Sequence, residues 1–127
     1  IGLNLWLGLR FRCMLGRHIF DHMGSGVKIF HGVEATYGYK LSIGDGATIR
    51  QGVLLQDRGG ITIGKGAVIG SYARVFSHSY SSEDADRVKM VPTTIGDGAR
   101  IGSHTILLAG QNVAPHEVVG TFPADRA

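Results

Sequence analysis

Ile43-Gly44-Asp45-Gly46-Ala47-Thr48-Ile49, Ile63-Gly64-Lys65-Gly66-Ala67-Val68-Ile69 and Ile95-Gly96-Asp97-Gly98-Ala99-Arg100-Ile101 are one phrase written three times. Each copy opens a run in which an aliphatic residue returns at every sixth position: Ile43, Ile49, Leu55; then Ile63, Ile69, Val75; then Ile95, Ile101, Leu107, Val113. A helix repeats near 3.6 residues and a strand near 2, so neither explains a period of six. A hexad that supplies one short strand and one corner does, and three such hexads close a triangular coil of a parallel β-helix. The aliphatic residue then points into the prism, and the glycine that follows keeps the corner clear.

The spacing sets the coils. Ile43 and Ile63 are 20 positions apart, one coil of eighteen plus a surplus of two, which falls at Arg58-Gly59-Gly60. Leu41-Ser42-Ile43-Gly44 matches Ile61-Thr62-Ile63-Gly64, so the pattern reaches back before Ile43. Ile63 and Ile95 are 32 positions apart, which leaves 12 to 14 residues that no coil absorbs; these must leave the prism as a loop, best placed at Ser77 to Pro92. A single coil cannot bury its apolar face, so several must stack, and this chain has room for about four. The expected organisation is all-β: a short N-terminal helical cap over residues 1–23, and a β-helix domain over 24–127 with one protruding loop at 77–93. The cap is read from Ile1 to Leu15, an apolar segment interrupted by Arg10 and Arg12. Its unbroken apolar part is far shorter than the ~20 residues of a membrane span, and no basic stretch precedes it as in a signal peptide. Membrane contact is therefore not expected.

Composition narrows the function further. The net charge of the 127 residues is +3, and the basic residues are scattered rather than run together or interleaved with aromatics. Nucleic acid is accordingly not an expected partner, while a mild positive field suits an acidic cofactor. The 20 glycines recur at hexad positions and reflect a repeat, not disorder. Cys13 is the only cysteine, so no internal disulfide can form, and a reducing, cytoplasmic setting fits. In its apolar surroundings Cys13 reads as a small hydrophobe.

A rigid scaffold that ejects one long polar loop tends to place function there. His78 stands at the root of that loop, three residues after the core residue Val75, outside the prism yet held by the last ordered strand. An imidazole that titrates near neutrality suits a general base. The plainer alternative is a histidine that decorates a turn.

Together, the hexads, the loop histidine and the stretch Thr94-Ile95-Gly96-Asp97-Gly98-Ala99-Arg100-Ile101-Gly102-Ser103 resemble the hexapeptide-repeat acyltransferases, most of all the sugar and polysaccharide O-acetyltransferases of the maltose and galactoside acetyltransferase kind. The resemblance runs from about Gly24 to the end of the chain. It implies left-handed winding, an exception to the right-handed rule for parallel crossovers. It also implies a homotrimer with each site between neighbouring prisms, and acetyl-CoA as co-substrate with no metal. His78 would deprotonate an acceptor hydroxyl that attacks the thioester. Gly102 and Ser103 would face the thioester and the pantetheine arm, with Arg100 and Arg126 as phosphate contacts or as solvated arginines. Tyr80, Asp84 and Arg87 of the loop would line the acceptor pocket or face solvent.

Three departures from the family pattern stand beside this. Phe76 occupies the place of a first loop histidine, Arg100 the place of a frequent tryptophan, and a coil that usually precedes the closing segment, here Val118 to Arg126, is missing. Other readings of the same fold remain open. A γ-class carbonic anhydrase needs paired ligand histidines, and Ser103 stands where one would be. A non-catalytic interaction scaffold and an amino-sugar N-acyltransferase are the remaining alternatives.

Overall fold

A computed structural model of the protein describes residues 19–80 and 88–120, apart from the Tyr80 side chain. The six-residue period becomes three parallel faces. The first stacks His22–Met23, Leu41–Ile43, Ile61–Ile63, Thr93–Ile95 and Asn112–Val113. The second stacks Lys28–Ile29, Thr48–Ile49, Val68–Ile69, Arg100–Ile101 and Val118–Val119, and the third Glu34–Ala35, Leu54–Gln56, Arg74–Phe76 and Ile106–Leu107. Every pairing within a face is parallel. The chain therefore winds about four coils and begins another, a solenoid consistent with the left-handed β-helix.

Register carries the aliphatic residues into columns. Ile43 lies beside Ile63, and Ile63 beside Ile95, which lies beside Val113. Ile49, Ile69 and Ile101 form a second column, and Leu55, Val75 and Leu107 a third. All these side chains are buried, and most are fully so. Removing each from water stabilises the fold by roughly 1.5–3 kcal/mol.

The Ile-Gly-Asp-Gly phrase gives its two glycines different work. A Cβ on the first would lie 2.6 Å from the Lys65 nitrogen at Gly44, 2.5 Å from the Asp97 nitrogen at Gly64 and 2.5 Å from the Pro115 nitrogen at Gly96, so each packs against the backbone of the next coil. The second takes a left-handed backbone, with φ of +71° at Gly46, +67° at Gly66 and +69° at Gly98. The aspartate between them ties neighbouring corners together: Asp45 Oδ1 accepts from the Ser25 N–H at 2.9 Å, and Asp97 Oδ1 from the Lys65 N–H at 2.9 Å.

All surplus residues leave the prism at one edge, where the third face returns to the first. The corners there are 36–40, 57–60, the long insertion and 108–111. The expected surplus at 58–60 lies on this edge, and the coil below carries its own. The loop itself has strands that the hexad period does not predict: His78–Tyr80 pairs antiparallel with Val88–Met90. Ser77 and Thr93, the outermost residues of the expected 77–93 loop, are fully buried in the coil wall. Most of the expected cap lies outside the described residues. His22–Met23, at its end, is already a strand of the first coil, and Ile19 is helical.

Candidate active site

The third edge is built from a seam of polar side chains. Extra corner residues turn backbone N–H groups toward the interior, and each needs an acceptor there. Asp57, fully buried, supplies three: Oδ1 accepts from the Tyr37 N–H at 2.8 Å, and Oδ2 from Gly38 at 2.8 Å and Lys40 at 3.2 Å. Ser77 stacks on Asp57 in the next coil. Its hydroxyl donates to the Gln56 carbonyl at 2.5 Å and accepts from the Gly59 N–H at 2.9 Å. Thr93 Oγ1 donates to the Phe76 carbonyl at 2.6 Å and accepts from the Gly110 N–H at 3.1 Å. The Val91 N–H donates to the Ser77 carbonyl at 2.9 Å and closes the neck of the insertion.

His78 rises from this neck. Ser77 fixes it on one side, and its register partner Met90 on the other. The half-buried imidazole meets Phe76 edge-on, with ring centroids 6.3 Å apart and planes at 70°. Its pKa lies below the ordinary histidine value, chiefly because burial disfavours the charged ring, and further because the Arg58 guanidinium is near. Both causes favour the neutral form, which is the form that accepts a proton. Arg58 reaches His78 from the coil below, and its own Nε is buried without a hydrogen-bond partner among the described residues. Arg58 was not singled out as a site residue from sequence. The signal was present, since Arg58 and His78 differ by one 20-residue coil.

The other expected site residues fall elsewhere. Arg100 is exposed on the second face, and Ser103 is exposed at the second edge, between the second and third faces. Gly102 is buried, and its N–H donates to the Val119 carbonyl at 2.7 Å. Gly102 thus serves close packing, and its N–H is not available to a ligand. The third face lies between His78 and Ser103, so a single chain does not bring the two together. Tyr80 occupies a hairpin strand opposite Val88. Its side chain, Asp84, Arg87 and Arg126 lie outside the described residues.

One more cluster lies at the second edge. Gly32, Gly52, Tyr72 and His104 occupy equivalent corner positions in successive coils, all with positive φ. For Tyr72 (φ 62°) and His104 (φ 63°) this backbone costs on the order of 1 kcal/mol each. Their rings stack, with centroids 5.5 Å apart and planes at 12°. Tyr72 also covers Gly52, where a Cβ would come within 2.3 Å of the ring. Beside them opens a groove of about 380 Å³ lined by Gly52, Tyr72, Arg74, His104 and Ile106. Its sequence signal is the replacement of a corner glycine by a ring in two successive coils.

Among the described residues, no three His, Cys, Asp or Glu side chains gather as metal ligands, and no helix is long and apolar enough to cross a membrane.

No family-level profile matches the chain. The provisionally named colanic acid biosynthesis acetyltransferase WcaF of Escherichia coli K12 is 32% identical over 113 residues, 87% of this chain and 62% of the relative. The hexapeptide-repeat containing acetyltransferase VCA0836 of Vibrio cholerae, in its complex with acetyl coenzyme A, superposes with a TM-score of 0.77 at 25% identity, over 90% of this chain and 73% of that one. The chain is similar in both sequence and fold to hexapeptide-repeat acetyltransferases. As a fold alone, this hexapeptide-repeat protein is also similar to a maltose O-acetyltransferase of Clostridium difficile, with a TM-score of 0.69 at 17% identity over 86% of this chain and 70% of that one. It spans about three fifths of the length of WcaF.

Proposed function

We propose that this hexapeptide-repeat protein moves an acetyl group from acetyl-CoA to a hydroxyl of a sugar or polysaccharide, with His78 as general base. The observation that carries the reading is His78 itself: a half-buried imidazole, biased toward its neutral form, fixed at the neck of the insertion. The acceptor hydroxyl gives its proton to His78 as its oxygen attacks the thioester carbonyl. The tetrahedral adduct then collapses, the carbon–sulfur bond breaks, and the imidazolium returns the proton to the departing thiolate. No covalent enzyme intermediate is needed. Ser103 and Arg100 are the remaining candidates on the thioester side, where negative charge develops on the carbonyl oxygen. With Gly102 occupied by Val119, the Ser103 hydroxyl is the donor we assign.

The separation of His78 and Ser103 on different edges supports a site shared between copies. In a homotrimer, the third edge of one prism would meet the second edge of its neighbour. Exposed Met90 and Leu108, at 48% and 66%, supply an apolar surface for that contact. Tyr80, Asp84 and Arg87 remain assigned to the acceptor side, and Arg126 to the CoA phosphates.

His78→Ala is expected to lower kcat/KM by roughly 10²–10⁴ with the fold intact. A loss under about tenfold would remove His78 from the base role. Acetyl-CoA at about 100 times its Kd should stabilise the protein by roughly 2.7 kcal/mol, read as a rise in Tm. A folded protein with no such shift would favour a non-catalytic scaffold. Faster turnover of an amino sugar than of its hydroxyl counterpart would assign N-acylation instead.

A further inference from the structure

We infer that the groove at the second edge holds an acidic sugar residue of the acceptor, with the sugar ring against Tyr72 and its carboxylate on Arg74. This rests on the acetyl-transfer reading and names the class of acceptor that the site takes.

The groove is charged on one side and apolar on the other. Arg74 stands on the third face, exposed, and its guanidinium makes no ion pair or hydrogen bond among the described residues. Across that face Leu54 lies beneath Arg74, and Glu34 beneath Leu54, so the ladder's carboxylate is two coils away. Among the described residues no carboxylate lines the groove. A guanidinium so placed matches a carboxylate in a planar, two-bond geometry. Opposite it, Tyr72 is half exposed, and its stack with His104 extends an aromatic surface over two coils. The C–H face of a pyranose is apolar with slightly positive hydrogens, and it lies favourably on the negative face of an aromatic ring. Ile106 completes the apolar wall.

Two further features point to use rather than accident. Tyr72 and His104 hold a backbone conformation that suits glycine, and such outliers persist where the structure around them has a task for them. The groove also begins at His104, the residue after Ser103, so an acceptor held there would lie next to the position assigned to the thioester.

The test uses the full chain without acetyl-CoA. Methyl β-D-glucuronide and methyl β-D-glucoside are titrated separately, with amide shifts followed in ¹H–¹⁵N spectra. The glucuronide should bind roughly tenfold more tightly, the difference a charged hydrogen-bonded pair supplies. Its shifts should centre on Tyr72, Arg74, His104 and Ile106. Arg74→Met should bring the two sugars to equal affinity. Tyr72→Gly, which leaves the corner backbone relaxed and the coil folded, should weaken both. Equal affinity in the unmodified protein, a preference that survives Arg74→Met, or binding of neither sugar would overturn the inference. Any of these would leave the acetyl-CoA shift and the His78→Ala rate untouched, so a failure here is separable from a failure of acetyl transfer.

Discussion

Asp57 accepts from three backbone N–H groups of the corner below it. Asp57→Ala leaves all three buried or half-buried without their acceptor, and should lower stability by about 3 kcal/mol, measured as a fall in the urea midpoint with unchanged slope. One position along, Arg58 bears on the proposed base rather than on the coil wall. His78 must be neutral to work as a base, and its pKa is already lowered by burial and by Arg58. The kcat/KM profile should therefore rise with a midpoint below the ordinary histidine value of about 6.5. Arg58→Met removes the second cause, so the midpoint should move up, and activity at acidic pH should fall relative to the plateau. A midpoint that stays in place would mean that Arg58 does not act through the His78 proton.

At the scale of the element, the Ile-Gly-Asp-Gly corner separates two demands usually merged under one residue name. Gly44→Ala would drive a Cβ to 2.6 Å from the Lys65 nitrogen, against backbone that cannot retreat without parting two coils. Gly46→Ala has nothing within 4 Å and suffers only from its φ of +71°. We expect about 1 kcal/mol of destabilisation for Gly46→Ala and a clearly larger loss, on the order of 3 kcal/mol, for Gly44→Ala, compared by chemical denaturation. Equal losses would show that contact between coils is not what selects the first glycine. This is the scale at which the sequence was most legible. Each hexad repeats the same inward aliphatic and the same corner, so one copy explains the others, and the columns of Ile43, Ile49 and Leu55 followed from counting. The hairpin was not legible in the same way. His78–Tyr80 and Val88–Met90 pair only with each other, outside the period, and their pairing depends on a neck tied by Ser77 and Val91 that no repeat announces.

For the whole molecule, stability is the sum of what each coil gains from its neighbours. The middle coils bury their aliphatic columns fully, whereas Met23, Ala35 and Val119 near the ends are only partly covered. The candidate site is legible to a different degree from the fold for the same geometric reason. His78 could be found because the repeat breaks there. Tyr72, Arg74 and His104 converge through stacking of residues 32 positions apart, and their meaning appears only when the coils are superposed. Ser103 and His78, both expected from sequence, are kept apart by the third face, a separation that a linear motif cannot display. If the site is completed by a neighbour, sedimentation equilibrium should return three times the mass of one chain. A monomer that retains full turnover would require His78 and Ser103 to act without meeting.

Because every surplus residue departs from a single edge, chain length and coil rise are independent in this protein. The wall is sealed at Ser77 and Thr93 by bonds that do not involve what lies between Tyr80 and Val88. A foreign peptide spliced between those strands would be carried outside an unchanged prism. The same edge that houses the candidate base is thus a natural port for grafting, and for the gain or loss of segments during divergence.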